Sequence, residues 1–202
     1  ILEIDLSGAM LAYSKRFQAT ESTEKKLPIK TLQVQGDIEN LPIKKSSVDL
    51  IFSNLSAQWC DDVDDFFNEC ARTLVIGGKA FLSTLIQGTL FELKYAWSMV
   101  DTGVHVNRFE SLSKLQQGYE QAGLLLDNCY EVDEVQYFDD LRDLLKSVKK
   151  IGAHNMNPQR AQGLLGKNKY KGFSEAYEVF KTNKNQYPLN YRVVYLELTK
   201  RP

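Results

Sequence analysis

VDLIFSNLSAQWCDDVDDFFNECARTLVIGGKAFLSTLI, residues 48–86, reads as strand, helix, strand. In its middle, Val63, Phe66, Phe67, Cys70, Ala71 and Leu74 recur at helical spacing, and Asp61, Asp62, Asp64 and Asp65 crowd the first turn. The spacing predicts an amphipathic helix, and acids at its start favour the positive end of the helix dipole. Gly77 and Gly78 read as the helix stop. VDLIFS (48–53) before the helix and KAFLSTLI (79–86) after it are short apolar runs of the kind found in sheets covered on both faces.

Working outward, ILEID (1–5) is a β-rich run closed by an acid, and Ser7 stands at a helix N-cap before Met10, Leu11 and Ser14. TLQVQ (31–35) is another short strand, followed by Gly36, Asp37 and a loop that closes at Pro42. Strands alternating with helices predict an α/β fold with a parallel sheet and right-handed crossovers. The second half is more helical, with helices expected near 89–99, 111–122, 139–151 and 172–184. A strand region is expected near 124–137, and a last strand at NYRVVYLELTK (190–200).

The 202 residues include 25 basic and 26 acidic side chains for a net charge of −1, which argues against a general nucleic-acid or membrane-surface role. No run approaches the roughly 18 apolar residues that span a bilayer, and no secretory leader pattern is visible, so a cytoplasmic protein is expected. Cys60, Cys70 and Cys129 are scattered, and His105 and His154 stand alone. Neither a disulfide framework nor a metal site is expected.

In open α/β sheets ligands bind at the carboxyl ends of the strands, which here are Asp5, Asp37 and Asn54. An acid at such an end can accept from ribose hydroxyls, and a second acid one strand over can accept from an adenine amino group. Either acid could instead cap a turn.

These residues carry a resemblance. DLSGAML (5–11), GDIENLP (36–42) and DLIFSNLSAQWCDD (49–62) resemble a class I S-adenosylmethionine-dependent methyltransferase. With STLIQGTLFEL (83–93), HVNRF (105–109), LLKSVKKIGA (144–153) and QYPLNYRVVYL (186–196), the chain is similar to the malonyl-acyl-carrier-protein O-methyltransferases of biotin synthesis. The resemblance implies a Rossmann-like fold over 1–202, with a mostly parallel sheet and an antiparallel last strand. A helical lid is implied at about 89–122 and 139–185.

It also implies that Asp5 holds the ribose, Met10 packs on the adenine face, and Asp37 with Ile38 reads the adenine edge. Asn54 and Leu55 would lie beside the methionine moiety, and Gln58 and Trp59 at the entrance to the methyl group. The family's first strand and glycine-rich loop have no counterpart in the 202 residues, so the sequence is expected to be an amino-terminally incomplete part of the fold. Strands 1–5 and 48–53 would flank the absent strand, at about 1–3 kcal/mol for each buried backbone group left unpaired.

Methylating a carboxylate needs no general base, because the oxygen is already ionised at neutral pH. It needs alignment and a cation, and Arg108 in HVNRF is the candidate, ahead of Asn107 and His105. Arg192 and Arg160 compete for that role, and Arg108 could instead sit in a surface ion pair.

Between Arg142 and Lys171 stand eight basic residues against the single acid Asp143. The patch is either a solvated face or a docking surface for an acidic acyl-carrier protein, with Lys149 and Lys150 in front. Nucleic acid is a rival partner, weakened because the strand ends in NLSAQW rather than an Asn-Pro-Pro-aromatic turn. The expected protein is a monomeric methyltransferase making the methyl ester of malonyl-carrier protein or malonyl-coenzyme A, an early step of biotin synthesis. Other small-molecule methylation and a non-catalytic scaffold are the alternatives.

Overall fold

A computed structural model describes residues 1–20, 30–150 and 166–202. In chain order the strands are β1 (Leu2–Asp5), β2 (Leu32–Gln35), β3 (Val48–Asn54), β4 (Leu74–Leu85), β5 (Leu124–Phe138) and β6 (Tyr187–Lys200). The helices are α1 (Gly8–Thr20), α2 (Val63–Thr73), α3 (Phe91–Ser98), α4 (Leu112–Gln121), α5 (Leu141–Lys150) and α6 (Lys167–Tyr177). β1 and β2 pair in parallel with Leu2 opposite Leu32 and Asp5 opposite Gln35, while the other strands form a sheet in the order β3-β4-β6-β5. β1 and β3 thus belong to separate sheets. Leu50 and Phe52 on β3 remain 58% and 77% exposed.

Two compact units emerge. The first comprises residues 1–82, 115–128 and 196–202, the second residues 83–114 and 129–195. In the first, the predicted stripe of α2 buries Val63, Phe66, Phe67 and Cys70. Gly118 lets α4 approach this stripe, since a Cβ there would lie 2.8 Å from the Phe67 ring, and Tyr119 meets that ring edge-on at 5.9 Å. Asp62 is the N-cap, accepting from the Asp64 amide at 2.9 Å.

Gly77 and Gly78 do not stop α2. The helix ends at Thr73, and both glycines lie within β4. Gly77 takes φ +78°, open to a residue without Cβ, and Gly78 lets the strand approach β3, where a Cβ would stand 3.1 Å from the Asp49 carbonyl. The sequence pattern cannot separate a glycine that ends a helix from one that bends a strand.

In the second unit Leu90, Leu93 and Trp97 of the α3 region pack with Leu141, Leu144 and Val148 of α5, Phe173 and Tyr177 of α6, and Leu189 of β6. Leu141, Leu144 and Val148 recur at helical spacing and form the buried face of α5. Among the described residues no helix is long and apolar enough to cross a membrane.

Candidate functional site

The parallel register of β1 and β2 brings Asp5 and Asp37 to one edge of their sheet, where the Gly36 amide also donates to the Asp5 carbonyl at 3.1 Å. Asp5 is half-buried; its Oδ1 accepts from the Ser7 amide at 2.7 Å, and Oδ2 has no partner among the described residues. Ser7 caps α1 as its position predicts, with Oγ facing the Met10 amide at 3.3 Å. Asp37 uses one oxygen on the Glu39 amide at 2.9 Å. Both acids thus make the turn contacts weighed from sequence, and each carboxylate keeps a second oxygen for directional acceptance. Ile38 is half-buried beside Asp37.

Glu39, Glu69 and Arg72, which sequence reasoning passed over, hold this edge in place. The Glu39 carboxylate accepts from the Asp61 and Asp62 amides at 3.1 and 2.7 Å, tying the loop to the start of α2. Glu69 accepts from the Leu41 amide at 2.6 Å, and Arg72 donates to the carbonyls of Ile43 and Leu41 at 2.7 and 2.9 Å. The available signal was the spacing of an acid and an arginine three residues apart on the polar face of α2. Nearby, burial and then the neighbouring acids, Glu39 first, push the Cys60 thiol up to about 12, so it stays protonated and unreactive.

At the end of β3, Asn54 is exposed and Leu55 adopts φ +51°. Gln58 donates its Nε2 to the Leu55 carbonyl at 2.6 Å, so its amide serves this turn. Trp59 and Met10 are 45% and 55% exposed, leaving apolar surface open to a ligand rather than packed in the core. Asp5, Met10, Asp37, Ile38, Asn54, Leu55, Gln58 and Trp59 all lie on the first unit. A half-buried edge with two acids that each keep an acceptor oxygen, beside exposed apolar side chains, fits the hydroxyls and flat ring of a nucleoside.

The candidate cations lie on the second unit. Arg108 is exposed and engaged by no ion pair or hydrogen bond among the described residues, whereas Arg192 is bound to Glu131 through two nitrogens at 3.0 and 2.9 Å. His105 faces Asp101 at 2.6 Å and stacks on Trp97, and Asn107 is half-buried. On α5, Lys149 is exposed, Lys146 pairs with Asp143 at 2.8 Å, and Arg142 sits 5.9 Å over the Tyr170 ring. Lys150 closes α5, and Arg160, with residues 151–153 of the KKIGA segment, lies outside the described residues.

A family model for a methyltransferase domain matches residues 1–82. The malonyl-[acyl-carrier protein] O-methyltransferase of Pectobacterium atrosepticum is 33% identical over 195 residues, covering 96% of this chain and 71% of that protein. The chain belongs to the malonyl-acyl-carrier-protein O-methyltransferase family.

Further relatives of this family are the biotin biosynthesis bifunctional protein BioHC of Cellvibrio japonicus, 42% identical over 200 residues, and the malonyl-[acyl-carrier protein] O-methyltransferase of Hahella chejuensis, 43% identical over 143 residues. They match 99% and 71% of this chain, which spans 38% and 51% of their respective lengths. A solved structure described as a methyltransferase from Bacillus halodurans superposes with a TM-score of 0.67 at 16% identity, covering 100% of this chain and 83% of that one. The YcgJ protein of Bacillus subtilis gives 0.66 at 18% identity, covering 100% and 82%. These likenesses show the class I methyltransferase fold that the resemblance implies.

Proposed function

We propose that this chain forms part of an S-adenosylmethionine-dependent enzyme that esterifies the free carboxyl of a malonyl thioester carried by an acyl-carrier protein, an early step of biotin synthesis. The observation that carries the reading is the meeting of Asp5 and Asp37 at adjoining strand ends, each with a carboxylate oxygen to spare, in a member of this family. S-adenosylmethionine, when bound, supplies the activated methyl group. Asp5 would accept from the ribose hydroxyls and Asp37 with Ile38 would read the adenine edge. Met10 would cover its face, and Asn54 and Leu55 would flank the methionine portion.

The acceptor carboxylate arrives ionised, so the protein's task is orientation and exclusion of water rather than proton removal. Arg108 is the cation assigned to it. A planar guanidinium fixes a carboxylate through two parallel hydrogen bonds, and among the described residues Arg108 has no acid to satisfy first, unlike Arg192. Lys149 and Lys150 are assigned to the acidic carrier protein. Lys149 is exposed without an ion pair among the described residues, which keeps its charge available for steering.

The test is transfer of labelled methyl by the complete protein, offered malonyl-carrier protein beside acetyl-carrier protein and free malonate. Labelling of the malonyl-carrier form alone is expected. Cofactor binding without labelling of any of the three would overturn the substrate, and no cofactor binding would overturn the enzyme reading altogether.

A further inference from the structure

Residues 101–110 run without helix or strand until α4, yet the segment is tightly held within the second unit. The His105 ring stacks on Trp97 with centroids 4.1 Å apart and planes 14° from parallel, and Trp97 in turn stacks on Phe173 at 4.5 Å. Nε2 of His105 lies 2.6 Å from Oδ1 of Asp101, which also accepts from the Gly103 amide at 2.9 Å. The other oxygen of Asp101 receives the Lys169 ammonium of α6 at 2.7 Å. These bonds, Lys169 first, hold the Asp101 carboxyl well below the usual carboxylate range, so it remains an anion for His105 and Lys169 alike. At the other end of the segment the Gln87 amide donates to the Glu110 carbonyl at 2.9 Å, and Val106 and Phe109 turn into the buried cluster. Arg108 lies between these anchors, exposed and unpaired among the described residues.

We propose that His105 is a positioning residue for Arg108, acting through the chain Trp97–His105–Asp101–Lys169, and that it does not itself hold the substrate carboxylate. The inference rests on the reading of Arg108 as the carboxylate clamp. Its physical basis is that a long arginine side chain loses considerable rotamer freedom when it grips a substrate, and a wandering backbone would add to that loss. His105 lies only three residues before Arg108, and its ring is fixed on two sides, by an aromatic face and by a carboxylate that a second helix holds in turn. Its Nε2 is therefore already committed to Asp101. The cleft of about 300 Å³ beside it, lined by Lys94, Trp97, Asp101 and His105 among others, is the wall of this anchor.

A double-mutant cycle on the complete protein tests the inference, with His105→Phe keeping the stack on Trp97 and losing the link to Asp101. Alone, His105→Phe should raise KM for the malonyl thioester about tenfold or more, with the KM for cofactor and the melting temperature nearly unchanged. In an Arg108→Ala background it should add little, because the group it positions is gone. His105→Gln, which retains an N–H for Asp101, should recover most of the lost affinity. Effects of His105→Phe and Arg108→Ala that simply multiply would overturn the inference while leaving Arg108 in its role. Undiminished turnover in Arg108→Ala alone would remove the clamp reading, and the inference with it.

Discussion

Glu69 and Arg72, one turn apart on α2, are joined by two hydrogen bonds of 2.6 and 2.7 Å, and both reach onward to the backbone of residues 41–43. The pair is a clasp: α2 holds the loop that begins with Asp37 and Ile38. Exposed ion pairs contribute little, but here the Glu69 side chain is 14% exposed and each partner also satisfies backbone groups.

Glu69→Gln should cost about 1–3 kcal/mol, since a neutral amide leaves Arg72 without its counter-charge. The hydrogen bond from Arg72, ahead of that from the Leu41 amide, holds the Glu69 carboxyl below its usual value. A depressed carboxyl contributes its full stability above the unfolded value of about 4.3, and loses it as pH falls through the lower folded value. Melting of both proteins from neutral to strongly acidic pH should show a gap of roughly 2–10 °C that closes only in acid. A gap independent of pH would rule out the charged clasp.

Glu92 points the other way. It is 2% exposed, accepts from the Asn190 amide at 3.2 Å, and burial raises its carboxyl above the usual value. A raised carboxyl favours the fold below the unfolded value and costs stability as pH rises through the folded one. Glu92→Gln should therefore melt close to the parent in acid and above it at pH about 8, by roughly one to a few degrees. Equal pH dependence in the two proteins would mean that Glu92 is ionised in the fold.

Arg108→Ala should lower turnover on the malonyl thioester by about 10²–10³, the scale for losing a charged hydrogen-bonding group at the reacting centre. Cofactor affinity, measured by calorimetry, should stay within about twofold, because the cofactor contacts proposed lie on other residues. Equal turnover in variant and parent would dismiss the clamp.

Lys149→Glu combined with Lys150→Glu should reduce kcat/KM for malonyl-carrier protein by about tenfold or more at low salt and much less at high salt, while malonyl-coenzyme A is affected only slightly. A matching loss on both substrates would place these lysines outside carrier-protein docking.

Much of this was legible in the sequence because the relevant signals are short-ranged. The stripe from Val63 to Cys70 is a helical repeat, Ser7 lies one residue before its helix, and Asp5 and Asp37 close their strands within a few residues. Gly77 and Gly78 were misread because a glycine permits several backbone conformations, and only pairing with β3 decides among them. The partner of His105, Asp101, is four residues away and in reach of sequence reading, but the Lys169 ammonium that also holds Asp101 comes from 68 residues further along the chain and only folding brings it there.

The sequence by itself determined the alternation of strands and helices, the acids at the strand ends and the membership of a methyltransferase family, since periodicity, capping and motif order are properties of neighbouring residues. Only the tertiary structure decided which charges are already engaged. Arg192 is taken by Glu131, Lys146 by Asp143 and Lys169 by Asp101, while Arg108 and Lys149 have no such partner among the described residues. A charge's availability depends on what folding brings within a few ångströms, because Coulomb and hydrogen-bond energies fall off over that distance regardless of separation along the chain.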